Sequence, residues 1–290
     1  MVQTHAGKVD SVKLSYRGDM FDGMKPESLR IAVAQDAMLN VRHWPGDDLP
    51  YLLVHGLSSN ARLWDGVAER LADAGHSVYA VDLRSHGESD QPAEGYDTAT
   101  AASDLDAVCA ALDLPAAIVA GQSWGGNVVV QLAARFPARV RALALIDGGW
   151  INLRASFGSW EACAERLRPP ELDGVTADKL RERMRRGHTG WSPWAIDATL
   201  ANLRVEPDGH VERRLPIPLH MRIVRSMWDD PPQPYYPDIG VPVLLIPAGD
   251  KSPATDGLRS ARVHAYHGAD HDIHAQHPEA IADDLLGLIA

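Results

Sequence analysis

Gly121-Gln122-Ser123-Trp124-Gly125 follows the apolar run 116–120 and precedes a stretch with helical periodicity. A serine on a sharp strand-to-helix turn presents its hydroxyl clear of the backbone, provided its neighbours are small. Gly121 and Gly125 are small, and the helix start beyond them directs free N–H groups at developing negative charge. The chemistry this suits is covalent attack on a carbonyl by an activated hydroxyl. Such a hydroxyl needs a base. Gly268-Ala269-Asp270-His271-Asp272-Ile273-His274 lies between the last short apolar run and the last helical stretch, with His267 and His277 on either side. His271 is nearest the run's end and is the candidate base. Four crowded histidines also read as a metal site, although no second cluster of cysteines or carboxylates accompanies them. His55-Gly56-Leu57 follows another apolar run. It reads either as a plain turn with a buried histidine or as the place where Leu57 N–H joins Trp124 N–H around an oxyanion.

The elements that must position these residues follow from periodicity. Ser28–Ala34 and Met38–His43 read as a hairpin, and Leu49–His55, Ser77–Leu83, Ala116–Gly121 and Val140–Ile146 as further strands. Helices over Ala61–Ala74, Thr98–Leu112 (Thr98 as N-cap) and Trp124–Phe136 alternate with them. This alternation predicts an α/β fold with a mostly parallel central sheet and helices on both faces. Between Gly148 and Asp238 it gives way to prolines, five tryptophans and broken helical pieces such as Thr176–Arg186 and Leu219–Trp228, with no strand. It resumes with strands at Val241–Pro247 and Ala261–Tyr266 and a final helix Pro278–Ile289. The expected organisation is an arm over 1–27, a core over 28–147 and 239–290, and a helical cap or lid inserted over 148–238. Arg181, Arg183, Arg185 and Arg186 read as a solvated helix face.

Composition bounds the partners. The chain has 290 residues, 45% hydrophobic and 23% charged, enough for one large core. A net charge of −11 gives no footprint for nucleic acid or an anionic membrane surface. The apolar runs are far shorter than the roughly 20 residues of a membrane span. Two cysteines make no disulfide framework, and residues 1–10 lack a signal-peptide pattern, so a cytoplasmic protein is expected. The turn GQSWGG has serine where a dinucleotide fingerprint has its middle glycine, and no cofactor is implied.

Taken with Asp82-Leu83-Arg84-Ser85-His86-Gly87-Glu88-Ser89, these motifs make the chain from about Ser28 to Ala290 resemble the α/β-hydrolase superfamily. The resemblance implies Ser123 as nucleophile, His271 as base, Leu57 and Trp124 as oxyanion donors, and Trp150 and Trp194 among residues facing substrate. Serine at the turn disfavours dehalogenase and epoxide-hydrolase chemistry, for which the family uses aspartate. The triad acid departs from the usual pattern. Relatives carry Gly-x-x-Asp after the strand corresponding to Val241–Pro247, whereas here Gly249-Asp250-Lys251-Ser252 puts serine at that position. Asp250 comes two residues early. Asp147, at the end of the preceding strand, needs no gap and is preferred over Asp250, although a turn alone could also favour aspartate there. The implied activity is hydrolysis of a small to medium, fairly apolar ester or lactone. Carbon–carbon or thioester hydrolysis and a ligand-sensing receptor on the same fold are the alternatives.

Overall fold

The computed structural model describes residues 10–11, 25–188, 190–249, 253 and 255–288. Strands β1 (Asp10–Ser11), β2 (Glu27–Ala34), β3 (Ala37–Trp44), β4 (Asp48–Val54), β5 (His76–Val81), β6 (Ala117–Gln122) and β7 (Val140–Ile146) enter the main sheet. A separate hairpin, β8 (Leu203–Val205) and β9 (Val211–Arg213), precedes the last two sheet strands, β10 (Val243–Ile246) and β11 (Ala261–Val263). The main sheet has nine strands in the order β1-β2-β3-β5-β4-β6-β7-β10-β11. It is antiparallel from β1 to β5 and parallel from β5 to β11.

Its central parallel strands are mostly apolar and buried because both faces are covered. Leu52 and Val54 of β4 enter one core with Leu105 and Val108 of α2 (Thr98–Ala111) and Val128 and Leu132 of α3 (Trp124–Arg135). Tyr51 and Leu53, pointing the other way, enter a second core. There they meet Val67 and Leu71 of α1 (Asp65–Asp73) and Ile281 and Leu285 of α10 (Pro278–Leu286). Side chains alternate across a strand, so each strand feeds both cores.

Between β7 and β10 the chain leaves the sheet. It forms α4 (Leu153–Phe157), α5 (Trp160–Leu167), α6 (Ala177–Gly187) and α7 (Pro193–Leu200), then the β8–β9 hairpin and α8 (Ile217–Asp229). The hairpin corrects the expectation that this segment has no strand. Its turn is Pro207-Asp208-Gly209, with Gly209 at φ 84°, a conformation that suits glycine. No residue of α6 is buried, and Arg181 bonds Asp178 and, across to α7, Asp197.

Other boundaries shift for local reasons. Asp97, not Thr98, caps α2, its carboxylate accepting Thr100 N–H at 2.7 Å. The expected helix over Ala61–Ala74 begins as a 3₁₀ turn, Ala61–Trp64, capped by Asn60. A short α9 (Ile273–Gln276) separates the late histidine loop from α10.

Candidate active site

The sheet register places the chemistry. Gln122 pairs with Ile146, and Ile146 with Ile246, so three adjacent parallel strands end level. Ser123 and Asp147 are each one residue beyond that line, on the carboxyl edge where open α/β sheets bind ligands. Backbone bonds continue the ladder through them: Ser123 N–H reaches Ile146 O at 2.9 Å, and Asp147 N–H reaches Ile246 O at 2.8 Å.

Ser123 sits at φ 53°, ψ −124°, a region that side-chain-bearing residues seldom occupy. The strain is held by packing that only glycine permits. A Cβ on Gly121 would lie 2.4 Å from Gly125 O, one on Gly125 2.4 Å from His55 O, and one on Gly148 2.0 Å from Ser123 O. The turn is over-determined from both sides.

His271 Nδ1 lies 2.6 Å from Asp147 Oδ2. The Asp147 side chain is 1% exposed and that of His271 50%, so a buried carboxylate orients an imidazole at the rim. The other carboxylate oxygen, Oδ1, accepts Ala248 N–H at 3.2 Å. Accepting from Nδ1–H fixes the tautomer in which Nε2 carries no proton and can take one. Asp250, the alternative acid, and Ser252 lie outside the described residues.

Gln122 supplies a positioning contact that sequence reasoning missed. Its buried amide donates from Nε2 to His271 O at 3.0 Å, tying the residue before the serine to the histidine loop. Asp270 anchors the same loop from its other side. It accepts Trp191 Nε1–H at 2.8 Å and contacts His188 Nδ1 at 3.4 Å. Desolvation raises the neighbouring Asp272 carboxyl above the usual carboxylate range, with His271 and His188 opposing that shift. His274 is fully buried against Trp64 and held neutral, its pKa lowered to about 3 by burial. His277 precedes α10 and stacks near Tyr266.

The His-Gly turn is also braced. His55 is buried, donates from Nδ1 to Gly56 O at 2.7 Å and accepts Leu83 N–H at Nε2 at 3.0 Å. His86 Nε2 accepts Ser58 N–H at 3.1 Å, and Ser59 N–H reaches Gly56 O at 3.3 Å. Those N–H groups are therefore engaged, as is Gly126 N–H on Ser123 O at 2.9 Å. Trp124, one of the two donors expected from sequence, stands at the first position of α3, where its N–H has no acceptor within the helix, and Leu57 follows Gly56 in the His-Gly turn. The Trp124 indole is turned inward, donating to Thr98 Oγ1 at 3.1 Å. Burial lowers the pKa values of His55 and His86 to about 4 and about 3, which keeps both neutral.

The remaining candidates are placed as follows. Trp150 is partly buried against the α2–α3 side core, and its carbonyl accepts from Gln233 Nε2 at 3.0 Å. Trp194, on α7, packs with Leu63 and Trp191, its ring 3.6 Å from where a Cβ of Gly66 would stand.

Residues 50–181 match the model of a family described as the alpha/beta hydrolase fold. A non-heme chloroperoxidase of Streptomyces lividans is 40% identical over 104 residues, 36% of this chain and 38% of that protein. The 2-(acetamidomethylene)succinate hydrolase of Mesorhizobium japonicum is 37% identical over 109 residues, 38% of each chain. The chain thus spans less than two fifths of the length of these curated relatives. Among solved structures, E-2-(acetamidomethylene)succinate hydrolase superposes with a TM-score of 0.74 over 91% of this chain and 99% of that one, at 24% identity. That likeness is one of fold.

Proposed function

For a chain that has the α/β-hydrolase fold, we propose a serine hydrolase that cleaves a carboxylic ester or lactone through an acyl-enzyme. The observation that carries this reading is the 2.6 Å bond from His271 Nδ1–H to buried Asp147, beside the strained turn of Ser123. In the proposed cycle His271 Nε2 takes the Ser123 Oγ proton as Oγ attacks the carbonyl carbon. Leu57 and Trp124 N–H groups receive the oxyanion, and His271 passes the proton to the departing alkoxide. Water, deprotonated by His271, then attacks the acyl carbon, and His271 returns that proton to Ser123 Oγ as the acyl–oxygen bond breaks.

The segment over 148–238 acts in this reading as the cap above the sheet edge, with Trp150 and Trp194 bounding an apolar acyl pocket. The substrate is a small molecule and the working compartment the cytoplasm. Among the described residues no helix is long and apolar enough to cross a membrane.

Steady-state turnover of 4-nitrophenyl acetate and butyrate tests the reading. Many turnovers per chain, abolished by Ser123→Ala, are expected. A single slow turnover leaving a stable adduct would refute it in favour of a ligand-sensing protein.

A further inference from the structure

A small cavity of about 30 Å³ lies beside the His-Gly turn, under the β8–β9 hairpin. Its lining includes Ser58, Ser59 and His86 from the sheet domain and Arg213 and Arg214 from the hairpin end. That volume holds a compact polar group or a pair of waters.

The charges around it do not balance. Arg214 is matched, pairing with Glu88 Oε1 at 2.8 Å and donating to Gly87 O and Ala201 O at 3.0 Å. Arg213 is half-buried and donates to a neutral acceptor, Pro170 O, at 2.7 Å. Glu171, the acid nearest in influence, is engaged by Arg168 at 3.3 Å. Among the described residues Arg213 has no carboxylate in contact, and desolvation opposes its charge. The Ser59 hydroxyl is buried and has no hydrogen-bond partner among the described residues, although the residue is only 6% exposed. Ser58 Oγ shares a 2.9 Å bond with His220 Nδ1. Since His220 Nε2 donates to Leu167 O at 3.1 Å, Nδ1 is the acceptor and the hydroxyl hydrogen is spent on it. A half-buried arginine and an orphan hydroxyl, with no acid in the lining, are the chemistry that suits an anion.

The cavity is also close to the reacting centre. A Cβ on Gly56 would come 2.8 Å from Ser123 Cβ, and Ser58 is two residues further, a span of at most about 7 Å. We propose that this cavity receives a free carboxylate carried by the substrate, held by the Arg213 guanidinium and the Ser59 hydroxyl, which makes the preferred substrate a half-ester of a dicarboxylic acid or an ester of like charge. This rests on the acyl-transfer reading of Ser123 and narrows it: one end of an otherwise apolar substrate is anionic.

Two readouts separate this proposal from that reading. In the first, kcat/KM is compared for the 4-nitrophenyl half-ester of glutaric acid and 4-nitrophenyl pentanoate. A second pair carries the carboxylate on the leaving group, 3-carboxyphenyl acetate against phenyl acetate. At least one anionic member should be preferred by roughly 10- to 100-fold, the range of a charge-assisted hydrogen bond. Arg213→Gln should collapse that ratio and Arg213→Lys retain part of it. Arg204→Gln, which removes the same charge from an exposed position of the hairpin, should leave the ratio unchanged. In the second, Ser123→Ala protein, which needs no turnover, is titrated with monomethyl glutarate and with methyl pentanoate by calorimetry. The anion should bind more tightly, and its advantage should vanish with Arg213→Gln. Equal binding of the two, or an anionic preference that survives Arg213→Gln, would overturn the proposal whatever the outcome of the esterase assay.

Discussion

Asp147→Asn isolates what the buried carboxylate does. Asp147 Oδ1 accepts Ala248 N–H at 3.2 Å and Oδ2 accepts His271 Nδ1–H at 2.6 Å. An asparagine keeps the shape but has only one acceptor oxygen. If that oxygen stays on Ala248 N–H, the amide NH₂ faces His271, whose Nδ1 must then become the acceptor. The ring proton moves to Nε2, and the atom that should take the Ser123 proton already carries one. If the amide turns over, NH₂ meets the Ala248 N–H, leaving a buried donor unsatisfied. The first arrangement blocks the proton transfer outright; the second keeps the tautomer but withdraws the negative charge that stabilises the imidazolium, so both lower kcat. The expected loss in kcat is about 10⁴, the size of the corresponding change in a serine-protease triad. That is roughly 5.4 kcal/mol of transition-state stabilisation. The assay is steady-state hydrolysis of 4-nitrophenyl butyrate, with near-ultraviolet circular dichroism and thermal melting to establish that the variant folds. Asp250→Asn serves as the comparison and should cost less than about tenfold, or roughly 1.4 kcal/mol. A folded Asp147→Asn protein within tenfold of the parent, beside an Asp250→Asn protein reduced by orders of magnitude, would move the acid to the later loop and refute the tautomer reasoning.

Other perturbations follow from the same geometry. Gln122→Ala removes the donor to His271 O and lets the histidine loop drift; kcat should fall roughly 10- to 100-fold, the effect of a misplacement of about 1 Å, and an unchanged kcat in a folded variant would remove Gln122 from the positioning role. His274→Leu deletes two buried ring nitrogens with no hydrogen-bond partner among the described residues; unfolding in urea should show a gain of about 1–3 kcal/mol with activity retained, whereas a crippled His274→Leu beside an active His271→Ala would show that the base has been assigned to the wrong histidine. Because His55, His86 and His274 are held neutral with pKa values of about 4, 3 and 3, the unfolded chain binds protons below pH 6.5 that the folded chain refuses. Their effect on stability is nil above pH 6.5 and grows as pH falls towards 4, reaching roughly 2 kcal/mol per histidine at pH 5; urea midpoints at pH 7.5 and 5 measure it, and equal midpoints would contradict the neutral burial of these rings.

The parallel strands are legible in sequence because burial on both faces demands unbroken apolar runs. Val140–Ile146, apolar and buried but for the exposed Arg141, is close to such a run, and its boundaries coincide with the strand observed. Helix starts are less legible, since Asp97 and Thr98 are both good caps and only the backbone decides which one turns inward. The β8–β9 hairpin escapes periodicity because its strands have three residues each, although Pro207-Asp208-Gly209 is a turn signal. At the site, the small residues around Ser123 and the ungapped place of Asp147 can be read along the chain. The contacts of Gln122 with His271, His86 with Ser58 and Asp270 with Trp191 cannot. They join residues 149, 28 and 79 positions apart, and no local pattern encodes such a pairing. Nor does the order of the late histidines say that His274 faces Trp64 in the core while His271, three residues earlier, reaches Asp147.

Covalent labelling tests the central claim most directly. The intact protein is treated with a fluorophosphonate, digested, and its adduct located by peptide mass mapping, alongside Ser123→Ala and His271→Ala. The account predicts one adduct, on Ser123, absent from Ser123→Ala and formed orders of magnitude more slowly in His271→Ala. Undiminished labelling of Ser123→Ala, or a folded parent protein that takes up no label, would contradict it.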